Sequence, residues 1–137
     1  MIQYEHHKEL KSSGAAELIK TASDYLHGHA LCNPEAELWR EDDEVICAKE
    51  SDGNIVGAMT FFDSPSTMEI FIAISYVIPT RRMEGIHTGM YAKLKEIVKD
   101  RGRKYTCAVV HVDNKGMHEH LLKQGRKKVA VVYQDEI

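Results

Sequence analysis

Apolar positions along the chain change period several times, and each change marks a predicted element. A short alternating run at Ile2–Tyr4 predicts a first strand, and Leu10, Leu18, Ala22 and Leu26 recur at spacings that share one helix face, with Gly14 weakening the first turn. Asn33-Pro34 has the form of a helix start, a cap followed by proline, with Glu35 and Glu37 in the first turn; a short helix through Trp39 is expected. Val45–Lys49 and Ile55–Phe62 flank Asp52-Gly53, a strong hairpin signal. Glu69–Val77 is apolar on both alternating faces, the mark of a central strand covered on both sides, and Pro79 ends it. From Gly85, residues Ile86, Met90, Leu94 and Ile97 keep a helical spacing up to the stop at Gly102. Tyr105–Val112 predicts another strand, Lys115–Gln124 a short helix stopped by Gly125, and Val129–Tyr133 a final strand. The order βααβββαβαβ, without linker or repeat, implies a single α/β domain over residues 1–137, a mixed central sheet flanked by helices on both faces.

The composition, 43% hydrophobic and 28% charged, is that of a globular protein and excludes disordered, collagen-like and disulfide-scaffold classes. No apolar run approaches the roughly 18–20 residues that span a bilayer; even Ile70–Pro79 is interrupted by Ser75 and Tyr76, so no membrane association is expected. Met1–Leu10 carries Glu5, His6, His7 and Lys8 where a secretory signal needs an apolar core, so a cytoplasmic protein is expected. Cys32, Cys47 and Cys107 form an odd set without a CxxC pair, in keeping with a reducing compartment, and are expected to act as small buried hydrophobes.

Charge is segregated: residues 1–80 hold five basic and fourteen acidic side chains, residues 81–128 thirteen basic and five acidic. The basic part suits a polyanion, and the acidic part, with Glu35, Glu37, Glu41, Asp42, Asp43 and Glu44, a cationic partner. The junction Val77–Met90 sharpens this. A strand ends, a loop with Pro79 turns, and Gly85 opens an amphipathic helix, so unpaired backbone N–H groups converge at the positive end of a helix dipole. Neither GxxxxGK[ST] nor GxGxxG is present.

Here the chain resembles the GNAT superfamily of acyl-CoA-dependent N-acyltransferases, whose motif reads approximately V-x-P-x-x-[RQ]-x-x-G-x-[GA]; the chain supplies Val77, Pro79, Arg82, Gly85 and, in the last place, His87. Downstream, the family's N-x-x-A-x-x-x-Y-x-K-x-G-F is matched by Asn114, Lys123 and Gly125, with Met117, Leu121 and Arg126 as departures. The resemblance implies a slot for acetyl-CoA between Glu69–Val77 and Tyr105–Val112. In that mode the backbone at Ser75, Tyr76 and Val77 pairs with the pantetheine arm, amides of Arg82, Met83, Glu84, Gly85, Ile86, His87 and Thr88 hold the pyrophosphate, and Asn114 fixes the pantetheine.

The implied activity is direct transfer of an acetyl group from acetyl-CoA to a primary amine on a small molecule or protein. Such transfer needs a base, oxyanion stabilisation and a proton for the leaving thiolate. Glu69 resembles, at an offset of two residues, the strand glutamate that serves as base in the histone-acetylating branch; by simple alternation it shares a face with Phe71, Ala73, Ser75 and Val77. The family's acid tyrosine is replaced by Leu121, and His118, one turn earlier, is the candidate acid, ahead of His111 and Tyr133. The same departures leave an alternative, a catalytically degenerate CoA-binding or protein-interaction module on this fold.

No metal site is expected. His27-Gly28-His29 and His118-Glu119-His120 lack the i,i+4 spacing of a helical zinc pair. Arg101, Arg103, Lys104, Arg126, Lys127 and Lys128 lack the interleaved aromatics of a nucleic-acid surface, so nucleic acid is not an expected partner. Edge strands at the C-terminal side leave room for a homodimer.

Overall fold

Hydrogen bonding across the hairpin at Asp52-Gly53 joins β2 (Glu44–Glu50) to β3 (Ile55–Ser64), with Gly53 at φ +92° where only glycine turns freely. The computed structural model describes residues 1–137. β1 (Ile2–His7) pairs antiparallel with β2, β3 antiparallel with β4 (Glu69–Val77), and β4 parallel with β5 (Tyr105–Ala108), giving a mixed sheet in the order β1-β2-β3-β4-β5. Helix α1 (Ala16–Gly28) covers one face and α2 (Ile86–Asp100) the other, while α3 (Lys115–Lys123) follows β5 and buries no residue.

Each face has its own core. Ile46, Met59, Phe61, Ile70, Ile72 and Val77 meet Ile86, Met90, Leu94 and Ile97 of α2; on the other side Val45, Cys47, Ala58 and Ile74 meet Leu10, Ala15, Ile19 and Ala22. Gly89 lets α2 lie directly on β1, since a Cβ there would fall 2.1 Å from the Tyr4 ring. No helix is long and apolar enough to cross a membrane.

Five sequence expectations are corrected. Leu10 lies on a separate 3₁₀ turn, because Gly14 takes φ +85° and α1 starts only at Ala16; Leu10 still joins the same core. Asn33 caps a single turn, its Oδ1 accepting from Glu35 N at 3.0 Å, but no helix follows: Leu38 and Trp39 pack on the α1 core instead, and so short a helix would not repay nucleation. β5 ends at Ala108, leaving Val109 75% exposed, and Val129–Tyr133 pairs with nothing. Of the cysteines only Cys47 is buried; Cys32 and Cys107 are half-buried.

The segregated charges fold onto one another. Glu44 accepts from both Arg101 Nη atoms, at 2.8 and 2.5 Å, and from His6 Nε2 at 2.9 Å; Asp63 accepts from Arg103 Nε at 2.7 Å; Glu50 pairs with Arg81. Arg101 and Arg103 are thereby committed to the sheet's own acidic residues rather than to an external polyanion.

Candidate active site

The strands that flank the expected slot do part. β4 and β5 pair only from Glu69 opposite Tyr105 to Ile72 opposite Ala108, and beyond that point Ile74–Val77 pairs with β3 alone. The parting coincides with a bulge: Thr60 faces Ile74 and Phe61 faces Ile72, so Ala73 is an extra residue on β4. Thr60, fully buried, accepts the Ile74 N–H at 3.0 Å on its Oγ1 and so satisfies the backbone group next to the bulge.

The bulge corrects the alternation assumed for β4. Ile70 and Ile72 pack towards α2, Ile74 towards α1, and Val77 again towards α2. Glu69 and Phe71 therefore share the α1 side with Ile74 and Tyr76, and Ser75 and Val77 lie on the opposite face. Ser75 Oγ is buried without a partner on the stretch that β5 leaves open.

Beyond Val77 the chain turns through Pro79–Arg81 and enters α2 by two left-handed residues, Met83 at φ +67° and Gly85 at φ +79°. Arg81 holds the turn by reaching Glu50 and, through Nε at 3.0 and 3.1 Å, Glu84. Arg82 Nε donates to Val77 O at 3.0 Å and its guanidinium lies 5.5 Å from the centre of the Tyr76 ring, which ties the loop to the end of β4. Arg82 N donates, at 3.5 Å, to Pro79 O, whereas the backbone N–H groups of Met83, Glu84, Gly85, Ile86, His87 and Thr88 have no acceptor in the protein. Six successive free donors at a helix N-terminus form an anion cradle, one residue shorter than the sequence suggested.

The two candidate catalytic side chains belong to separate hydrogen-bond groups. Glu69, three rungs from the parting, receives the thiol of Cys107, and this donor, with the Thr67 hydroxyl second, holds its carboxyl below the usual range. Burial, with the Glu69 contact second, pushes Cys107 up to about 11, so it remains a thiol donor. His118 Nε2 lies 3.0 Å from the carbonyl of His111, and its ring borders a pocket of about 310 Å³ with Val112, Lys115, Glu119 and Lys128. Asn114 caps α3, its Oδ1 accepting from Met117 N at 3.4 Å, which leaves its amide nitrogen free.

A family model described as the acetyltransferase (GNAT) family matches residues 13–125. The chain belongs to this family. No curated protein matches the sequence. Among solved structures, the GNAT chain is similar to a ribosomal-protein-alanine N-acetyltransferase from Brucella melitensis biovar Abortus 2308, at 17% identity and a TM-score of 0.69, covering 100% of each chain. It is likewise similar to the aminoglycoside acetyltransferase HMB0005 from an uncultured soil metagenomic sample, at 17% identity and 0.70, covering 100% of this chain and 99% of that one. N-acetylglutamate synthase from Neisseria gonorrhoeae, whose structure is complexed with coenzyme A and N-acetyl-glutamate, matches at 14% identity and 0.63 over 86% of this chain and 28% of its own. At these identities the likeness establishes the fold.

Within the GNAT frame, His87 does not close the cradle. Its Nδ1 lies 2.8 Å from Nε2 of His120 on α3, the rings edge-on at 4.4 Å, so the side chain is directed to α3. Burial, then His120 and Arg126, drives its pKa down to about 4, and the ring is neutral at ordinary pH. Arg126, in place of a packing aromatic, lies 4.6 Å over the Tyr91 ring. His29 Nδ1 is 2.9 Å from Tyr25 O, and His118 and His120 are committed to separate partners. Sequence reasoning missed Cys107, Thr60 and His120. Their roles depend on strand register and helix packing, which no local sequence pattern carries.

Proposed function

We propose that the protein is an N-acetyltransferase that moves the acetyl group of acetyl-CoA to a primary amine by direct attack. The observation that carries this reading is the coincidence, on a GNAT fold, of the β4 edge that β5 leaves open at Ala73–Val77 with the cradle of six free N–H groups at the head of α2. The donor set fits CoA: amides of Met83–Thr88 would hold the pyrophosphate, the β4 edge at Ser75, Tyr76 and Val77 and the orphaned Ser75 hydroxyl would take the pantetheine arm, and the Asn114 amide would hold it from α3. The thioester supplies an activated acyl group with a thiolate leaving group. Glu69, kept ionised by Cys107, would take a proton from the incoming amine directly or through a water; His118, with Nε2 at the His111 carbonyl, would offer a proton only on leaving that bond.

Thermal unfolding with and without acetyl-CoA, combined with thiol release against a panel of amines, tests the proposal. A hundredfold excess over Kd should stabilise the protein by about 2.7 kcal/mol. Thr88→Asp, which suits a helix N-terminus but sets a negative charge in the cradle, should abolish the shift while leaving the fold intact. Amine-dependent thiol release should follow, falling about 10²–10⁴-fold in Glu69→Gln. Stabilisation without thiol release towards any amine would select the CoA-binding module instead, and no stabilisation at millimolar acetyl-CoA would overturn both.

A further inference from the structure

The turn that carries Leu10 and the segment leading into β2 enclose, with the first turns of α1, a cavity of about 220 Å³. Its walls are tied together. Leu10 N donates to Asp43 O at 2.7 Å, Lys11 N to Glu41 O at 3.0 Å, and Asp43 Oδ2 accepts from Arg40 N at 2.9 Å. The fully buried Leu10 and Ala16 give it an apolar floor, and half-buried Trp39, packed on the α1 core, adds an indole. None of the lining residues lies on β4, β5, α2 or α3, so the cavity is separate from the candidate active site.

The charged lining is balanced and unused. Glu17, Glu41, Lys11 and Lys20 all border the cavity, yet none pairs with another: Lys11 reaches Glu9, outside the cavity, at 3.3 Å, and Glu17, Lys20 and Glu41 form no ion pair. Glu17 and Lys20 stand one helical turn apart on α1, the spacing at which Lys93 and Glu96 of α2 do pair, at 3.6 Å. Two carboxylates and two ammonium groups sum to no net charge, so a simple cation or a simple anion is repelled by half of the lining. A small molecule that carries both charges close together satisfies all of it. The volume falls below the roughly 300–1,000 Å³ of sites for drug-sized ligands and suits a molecule of amino-acid size.

We propose that this cavity binds a free amino acid with an aliphatic side chain. The ligand's ammonium meets Glu17 and Glu41 beside the Trp39 ring, its carboxylate meets Lys20 and Lys11, and its side chain lies on Leu10 and Ala16. The inference is independent of acyl transfer, since no residue of the cradle, of the open β4 edge or of the Glu69 and His118 groups takes part.

Trp39 is the only tryptophan of the chain, so its emission reports on the cavity directly. Leucine added to the full-length protein without acetyl-CoA should change that emission saturably at millimolar concentrations. Leucinamide, which lacks the carboxylate, and isocaproate, which lacks the ammonium, should each bind at least about tenfold more weakly. Glu41→Gln should weaken leucine by about tenfold while isocaproate binds no worse, and Lys20→Gln should weaken leucine as much while leucinamide binds no worse. Both replace exposed side chains, so thermal midpoints should not move. Thr88→Asp, which blocks the cradle, should leave the leucine response intact. No saturable response to leucine overturns the inference. So does a response that leucinamide or isocaproate matches, one that both charge variants leave unchanged, or one that Thr88→Asp abolishes, which would place the leucine in the candidate active site.

Discussion

Glu69 was legible as a candidate from its place at the head of an apolar strand, but the neighbour that sets its charge was not. Cys107 is reached only because β4 and β5 run parallel in a register that brings Tyr105 opposite Glu69, and no local pattern encodes a register between strands separated by a helix. The contact has a measurable consequence. Removing the thiol donor in Cys107→Ala takes away the largest influence lowering the Glu69 pKa, so the carboxyl titrates at higher pH. The acidic limb of kcat/KM should move to higher pH, with activity on the alkaline side little changed. Cys107→Ser, which keeps a donor, should leave the limb near its original place. A pH–rate profile of the three proteins checks this, and an unmoved limb in Cys107→Ala would remove Glu69 from the role of base.

At the level of elements, the hydrophobic periods located β2, β3, β4 and α2 because each buries a continuous face, and they failed where burial was missing. Asn33-Pro34 and Val129–Tyr133 carry sound local signals, yet a cap does not make a helix and alternation does not make a strand when no layer receives the apolar face. The β4 bulge was illegible for another reason. Ile70, Ile72 and Ile74 look evenly alternating, and only the register with β3 shows that the face changes at Ala73. Thr60 is the residue that makes the bulge affordable, since its hydroxyl accepts the Ile74 N–H inside the core. Thr60→Val keeps the shape and removes the acceptor, which should cost about 1–3 kcal/mol in denaturant unfolding. It should also weaken stabilisation by acetyl-CoA, because the open edge begins at this bulge. Thr60→Ser should preserve both.

For the whole molecule, the sequence displayed an acidic front and a basic back, and the fold brings them together through Glu44 with Arg101, Asp63 with Arg103 and Glu50 with Arg81. Charge counted along a chain therefore overstates the field outside it. Arg103, and after it Arg101, hold the Asp63 carboxyl below its ordinary value. His87 behaves differently. Held neutral between α2 and α3, it takes a proton in the folded protein only near pH 4, whereas in the unfolded chain it does so near 6.5. The unfolded state binds more protons throughout that window, so stability falls as pH drops from about 6.5 towards 4 and is fully present above it. The upper limit of the loss is about 3 kcal/mol. His87→Gln cannot titrate but can still bond His120, and should flatten that part of the curve. Chemical denaturation of both proteins from pH 4 to 8 measures the difference directly. Parallel curves would mean that the ring takes its proton at the same pH in the fold as in the unfolded chain, and that the contact with His120 joins α2 to α3 without making their packing sensitive to acid.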